Sequence, residues 1–233
     1  MRHVGFGVVI LTTLFAMASA CQKRAEAPSP TVTAKGSAGE EDVPDLTIRQ
    51  VNLNPGETLI VSCSDEGGDA EVFWGDATLH RDVSTHGAGF YTTIFSLYSA
   101  KGGTADVVAT HVSSGDLTLN AYTVTNLAPS ALDKMAAAQG AGTSPSSGAT
   151  AMTSHANEFL WGSIGYFASA APTGTWNDGF TSGGQFKSTG GISGVEDGYK
   201  TVSSTGTYTA AKTGINKDDW AALIATYTIN TGH

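Results

Sequence analysis

Gly89-Phe90-Tyr91-Thr92-Thr93-Ile94-Phe95-Ser96-Leu97-Tyr98 decides how the rest of this chain is read. Aromatic and β-branched side chains fill it, and these fit a pleated, half-buried surface better than a helix. It is bounded by turn residues, with Gly89 before it and Gly102-Gly103 after. Downstream, 104–111 brings Val107 and Val108, and Ser114-Gly115-Asp116 reads as a turn into 117–124, with Leu117, Leu119, Ala121 and Tyr122. Upstream, Leu46-Thr47-Ile48-Arg49-Gln50-Val51 alternates apolar and polar residues, as a half-buried strand does. Asn54-Pro55-Gly56 then turns the chain into a strand over 58–63, and Gly75-Asp76 joins 70–74 to 78–81 as a hairpin.

Short strands at roughly 8–12-residue spacing with turns between them predict a sandwich or barrel. The fold class expected is all-β, a single antiparallel β-sandwich over 46–233. Composition agrees: glycine is abundant at 29 residues and charged residues make up only 14%, a profile suited to short strands and turns rather than helices. Residues 130–139 depart from the pattern, because Ala131-Leu132-Asp133-Lys134-Met135-Ala136-Ala137-Ala138 has helix propensity. A short helix is expected there, followed by a Gly/Ser/Pro-rich loop over 140–148. Residues 220–229 fit a helix start at Ala221-Ala222-Leu223-Ile224 or a closing strand at Thr226-Tyr227-Thr228-Ile229.

The N-terminus carries a different message. Met1-Arg2-His3 precedes an apolar run over 4–18 and the small residues Ser19-Ala20, the layout of a secretory signal. The run is short of the roughly 20 residues that span a bilayer, and polar Gln22-Lys23-Arg24 follows it. Ala18-Ser19-Ala20-Cys21 resembles the lipobox of bacterial lipoproteins. That resemblance implies cleavage of residues 1–20, diacylglycerol on the Cys21 thiol and acylation of the freed amine. Stable anchoring takes two lipid signals, which this modification supplies. Gln22, standing where an aspartate would imply inner-membrane retention, implies the outer membrane. Residues 21–45, with Pro28, Pro30 and Pro44 and no apolar period, read as a lipidated flexible tether. Fully extended, it reaches at most about 80 Å.

Charge narrows the partners. The chain holds 12 Lys+Arg against 21 Asp+Glu, a net of −9, and removing 1–20 takes away Arg2 and no acid. Such a surface argues against nucleic acid and against docking on anionic lipid. There are two cysteines. With Cys21 lipidated, Cys63 in its apolar run reads as a buried small hydrophobe.

A second resemblance spans roughly 46–230. Phe73-Trp74-Gly75-Asp76-Ala77-Thr78-Leu79, the run 91–97 and Lys101-Gly102-Gly103-Thr104-Ala105-Asp106-Val107 look like a bacterial exported β-sandwich domain of jelly-roll type. Asn120-Ala121-Tyr122-Thr123-Val124, residues 150–162 and Trp220-Ala221-Ala222-Leu223-Ile224-Ala225 are similar to its remaining segments. The likeness is one of rhythm and implies a surface protein with adhesive or glycan-binding roles.

No Gly-x-Ser-x-Gly elbow, His-Glu-x-x-His, Cys-x-x-Cys or phosphate-binding Gly-Lys-Ser/Thr loop occurs, so no enzyme activity is expected. Glycan recognition needs flat aromatic faces beside hydrogen-bonding side chains. Trp176, Asn177 and Asp178 supply both in a Gly-bounded loop, with Tyr199 as a further candidate. Trp161 and Trp220 lie in apolar runs and read as core; Trp74 fits either role. Asp65, Glu66 and Asp69 around two glycines are candidate calcium ligands, set against a plain solvated acidic turn. No other cofactor is expected. His80 and His86 flank Arg81 and Asp82 as a weaker metal candidate.

The function expected is a membrane-anchored surface lipoprotein acting as a binding or adhesion module for glycan or envelope partners. Two alternatives stay open: a hydrolase of envelope polymer whose residues meet only in three dimensions, and a structural subunit of a surface layer or fibre.

Overall fold

The computed structural model describes residues 28–66, 70–98, 100–167, 173–189, 193–216 and 218–231. The signal segment and Cys21 lie outside them. All regular structure among the described residues is strand. The first half of the chain supplies β1 (Val32–Leu53), β2 (Thr58–Asp65), β3 (Glu71–Trp74), β4 (Ala77–Thr78), β5 (His80–His86), β6 (Tyr91–Leu97) and β7 (Gly103–Val124). The second half supplies β8 (Leu127–Gly142), β9 (Asn157–Phe167), β10 (Thr175–Trp176), β11 (Thr181–Lys187), β12 (Ser193–Ser203), β13 (Lys212–Thr213) and β14 (Asp218–Ile229). One sheet runs β4-β3-β7-β2-β6-β5 with β1 along the other side of β7, and the second runs β11-β12-β9-β14-β8. Every pairing is antiparallel. The fold is an all-β antiparallel sandwich, as the strand rhythm predicts.

The first sheet curls on itself. A straight strand as long as β7 would extend about 70 Å at roughly 3.3 Å per residue. Yet Val107 and Ala109 from one half share a buried cluster with Leu117, Leu119 and Ala121 from the other. Leu59, Val61 and Cys63 of β2 and Leu46 and Ile48 of β1 complete that cluster. The bend coincides with register shifts in β1 between Glu40 and Asp45, opposite Gly115, where Asp42 adopts φ 54°. Extra residues on one strand of a pair bend it and raise its twist.

Three expectations are corrected here. Residues 32–45, read as tether, pair with β7 from Val32↔Val124 to Asp45↔Thr110. They are mostly exposed or half-buried along the edge, so they carry no apolar period; backbone pairing, not side-chain burial, holds them. The turn read at 114–116 is continuous strand. The helix read at 130–139 is β8, paired in register with β14 from Met135↔Ala225 to Gly142↔Asp218, because a ready strand edge outweighs a few tenths of a kcal/mol of propensity per alanine. That strand also takes the first residues of the expected loop. Residues 220–229 resolve as strand.

The alternate side chains of the first sheet face the second. Ile60, Ile94, Tyr122 and Val124 meet Phe159, Trp161, Leu223, Ala225 and Tyr227. β2 is therefore buried on both faces, all eight residues of it, and β9 is buried along nearly its whole length. Cys63 is buried, and burial pushes its thiol well above the ordinary range, an inert state.

A third apolar layer lies outside the second sheet. Leu160, Ile164, Ala222 and Ile224 are covered by Trp176, Phe180 and Ala210. The segments 147–153 and 206–210 close over it, held by Ser147 N–H to Ala210 O (2.9 Å), Thr150 N–H to Tyr208 O (2.9 Å) and Thr153 N–H to Gly206 O (2.9 Å).

Candidate functional site

Trp176 belongs to this outer covering. It is 8% exposed and its indole stacks on Phe180 with centroids 5.7 Å apart. Glycines make its seat: a Cβ on Gly198 would stand 2.7 Å from Trp176 Cε2, and one on Gly162 3.2 Å from Cζ3. The Lys212 ammonium lies 5.8 Å from the ring centroid and pairs at 2.5 Å with the buried Glu196. Asn177 is half-buried and Asp178 is exposed at φ 54°. Tyr199 is not with them. Successive residues of a strand face opposite ways, so Gly198 lies under Trp176 while Tyr199 points between the sheets and stacks on Trp161 at 6.0 Å and 6°. The four residues read as one sugar platform are divided between two faces of β12, and the Trp176 ring is used for packing. Trp161 is fully buried, Trp220 packs at the margin of the outer layer, and Trp74 donates its indole N–H to Val51 O at 3.0 Å.

The acidic segment is also taken apart. Asp65 is fully buried inside β2, opposite Tyr91 and Leu117, rather than on a loop. Glu66 is exposed, its N–H donating to Asp116 O at 2.9 Å, and Asp69 lies outside the described residues. His80 and His86 stand at opposite ends of β5. His80 Nδ1 is 2.9 Å from Asp82 Oδ1, and His86 meets the Tyr91 ring at 4.8 Å.

A different trio converges. One donor atom each from Asp133, His155 and Glu158 lies within 4.8 Å of the others. The sheet does this: on β14, Thr226 faces Lys134 of β8 on one side, and Thr228 faces Glu158 of β9 on the other. Asp133 and Glu158 thus come together across β14. His155, three residues before Glu158, sits at the strand entry with Nδ1 3.6 Å from Glu158 Oε1 and 3.2 Å from Thr228 Oγ1. Its side chain is 58% exposed, whereas that of Glu158 is fully buried. An open cleft of about 620 Å³ adjoins the imidazole, lined by Ala128, Ser154, His155, Asn157, Thr228 and Asn230 among others.

The two carboxyls differ sharply. Burial alone would raise Asp133, but hydrogen bonds from Lys134 (Nζ to Oδ1, 2.6 Å) and from the Ser154 N–H (to Oδ2, 2.6 Å) bring it down to about 2. Burial pushes Glu158 up to about 7, tempered by the nearby Thr226 hydroxyl and reinforced by the negative Asp133. Among the described residues, neither oxygen of Glu158 has a hydrogen-bond partner. Two carboxyls so separated, with an imidazole at the solvent side, can exchange a proton or hold a cation.

The other buried carboxylates have partners. Asp82 accepts from Ser96 Oγ (2.9 Å), Tyr98 Oη (3.0 Å) and Tyr227 Oη (2.7 Å) as well as facing His80. Asp197, between the sheets, accepts from Asn120 Nδ2 at 2.8 Å, and burial raises it to about 6 against hydrogen bonds from surrounding side chains.

The sequence reading missed the trio because Asp133 fell in the expected helix and no motif joins it to His155 and Glu158. The His-x-x-Glu pair was the visible signal. Comparison with protein-family models, with curated proteins and with solved structures finds no match to this chain. The fold by itself defines the class, an all-β antiparallel sandwich, and fold does not fix function.

Proposed function

We propose that this chain is an exported lipoprotein, held on the bacterial envelope through lipid on Cys21, whose sandwich serves as a non-enzymatic binding module for a glycan or envelope partner. The outer membrane is the favoured location. The observation that carries this reading is Ala18-Ser19-Ala20-Cys21 placed directly after a short basic head and an apolar run. With β1 beginning at Val32, only some ten residues separate the lipid from the first strand, a reach of at most about 35 Å. The sandwich therefore works close to the bilayer surface, and a partner embedded in or lying on the same envelope is the natural ligand. The buried Glu158 offers a polymer chain no accessible second carboxyl, which counts against hydrolysis at that pair.

Two measurements test this. Cells expressing the full chain are labelled with a palmitate analogue: label on the wild type, and its loss together with release to the soluble fraction in Cys21→Ser, supports the anchor. An unmodified Cys21 thiol by mass spectrometry overturns it. A glycan array and a pull-down from envelope fractions, run with residues 28–233, test the binding half, and silence on both counts against it. A fragment 46–233 is the wrong reagent: it cuts β1 in two and is expected to unfold by circular dichroism where 28–233 stays folded.

A further inference from the structure

The Glu158 carboxylate poses a problem that the fold leaves open. It is fully buried and neither oxygen has a hydrogen-bond partner among the described residues. A carboxylate taken out of water needs a counter-charge or donors, at a cost of several kcal/mol otherwise. His155 Nδ1, 3.6 Å from Glu158 Oε1, is beyond hydrogen-bonding range. That separation is close to the roughly 3.4 Å expected between two atoms that each bind one tetrahedral ion at about 2.1 Å.

We propose that Asp133, His155 and Glu158 form a binding site for a divalent transition metal of the zinc class. One imidazole nitrogen and two carboxylate oxygens are an ordinary ligand set for such an ion, and the adjoining cleft admits water as a fourth ligand. The imidazole selects against calcium and magnesium, which prefer all-oxygen shells. The donors come from three places fixed by the sheet: β8, the entry to β9, and β9 itself. Asp133 and Glu158 are held by register on either side of β14, and His155 closes the site from the solvent side, so metal enters without the core opening. Thr228 Oγ1, 3.2 Å from His155 Nδ1, orients the ring beforehand and gives up that contact when the nitrogen takes metal. Lys134 is the built-in competitor. Its ammonium sits 2.6 Å from Asp133 Oδ1 and 2.7 Å from Ser154 Oγ, and it must share that carboxylate with the metal or swing toward solvent.

The test uses the full chain purified in detergent, stripped with chelator, and titrated with Zn²⁺ alone and with Ca²⁺ alone, by calorimetry and by metal analysis after dialysis. One Zn²⁺ per chain with no Ca²⁺ is expected. His155→Ala, at an exposed side chain that leaves the fold intact by circular dichroism, weakens Zn²⁺ at least about tenfold. Lys134→Met tightens it by roughly thirtyfold, the factor for removing one positive charge about 4 Å from a divalent ion in water-like surroundings. Absence of stoichiometric zinc, or equal affinity in His155→Ala, overturns the proposal. Unchanged or weaker binding in Lys134→Met removes Asp133 from the site and overturns it as well.

Discussion

Asp82 and Glu158 are both buried carboxyls on strands of the same sandwich, and the fold treats them in opposite ways. Asp82 on β5 receives the Ser96, Tyr98 and Tyr227 hydroxyls, two from the neighbouring β6 and its exit and one from β14 across the sheets. It ties the two sheets together. Glu158 on β9 has no hydrogen-bond partner among the described residues and faces another acid and a solvent-accessible imidazole. A buried polar group that the protein satisfies serves architecture. One that it leaves unsatisfied, near an open cleft, is where the proposed metal would bind.

That contrast can be broken by mutation. Asp82→Ala strips the acceptor from three hydroxyls at once and is expected to cost about 3–5 kcal/mol in urea unfolding; a loss under 1 kcal/mol would mean the hub is ornamental. Glu158→Gln should go the other way. In chelated buffer at pH 8 it removes an unpaired buried charge and stabilises by about 1–2 kcal/mol, and a clear destabilisation would show that the carboxylate is already satisfied.

The pH profile sharpens the same comparison. Glu158 is raised from 4.5 to about 7, so between those values the folded protein holds a proton that the unfolded chain has released. Stability therefore falls as pH rises through that window, by at most about 3 kcal/mol. Asp197, raised from 3.8 to about 6, adds a decline of the same sign at lower pH. Asp133 acts oppositely: lowered from 3.8 to about 2, it loses its contribution as pH drops through that range. Thermal melts of the metal-free protein should thus peak near pH 4, and Glu158→Gln should flatten the upper limb; a wild-type profile rising to pH 7 contradicts the assignment. The smallest effect is expected at His80, whose side chain is 64% exposed. His80→Ala leaves Asp82 its three hydroxyl donors and should change stability by less than about 1 kcal/mol.

Strands with a strong apolar or aromatic pattern were legible from the residues. The 91–97 segment became β6, 58–63 the body of β2, and the Gly75-Asp76 hairpin joins β3 to β4. Cys63 and Trp161 are buried as their runs imply. What escaped were elements whose partners supply the order. β1 before residue 46 has little to bury, β8 is rich in helix-forming alanine, and β11 and β12 alternate glycines and polar residues with few apolar ones. The surroundings of Trp176 escaped for a related reason. Trp176 looks like an exposed loop aromatic until Gly162 and Gly198 provide a seat for its ring.

From its residues alone this chain determined an acidic composition and a β-rich body, because charge and side-chain branching are properties each segment carries wherever it lies. The tertiary structure decided which edges pair, which faces turn inward and which acids meet. Asp133 and Glu158 stand far apart along the chain and become neighbours only through the register of β8 and β9 on β14, and register is a property of pairs of strands that no single segment encodes.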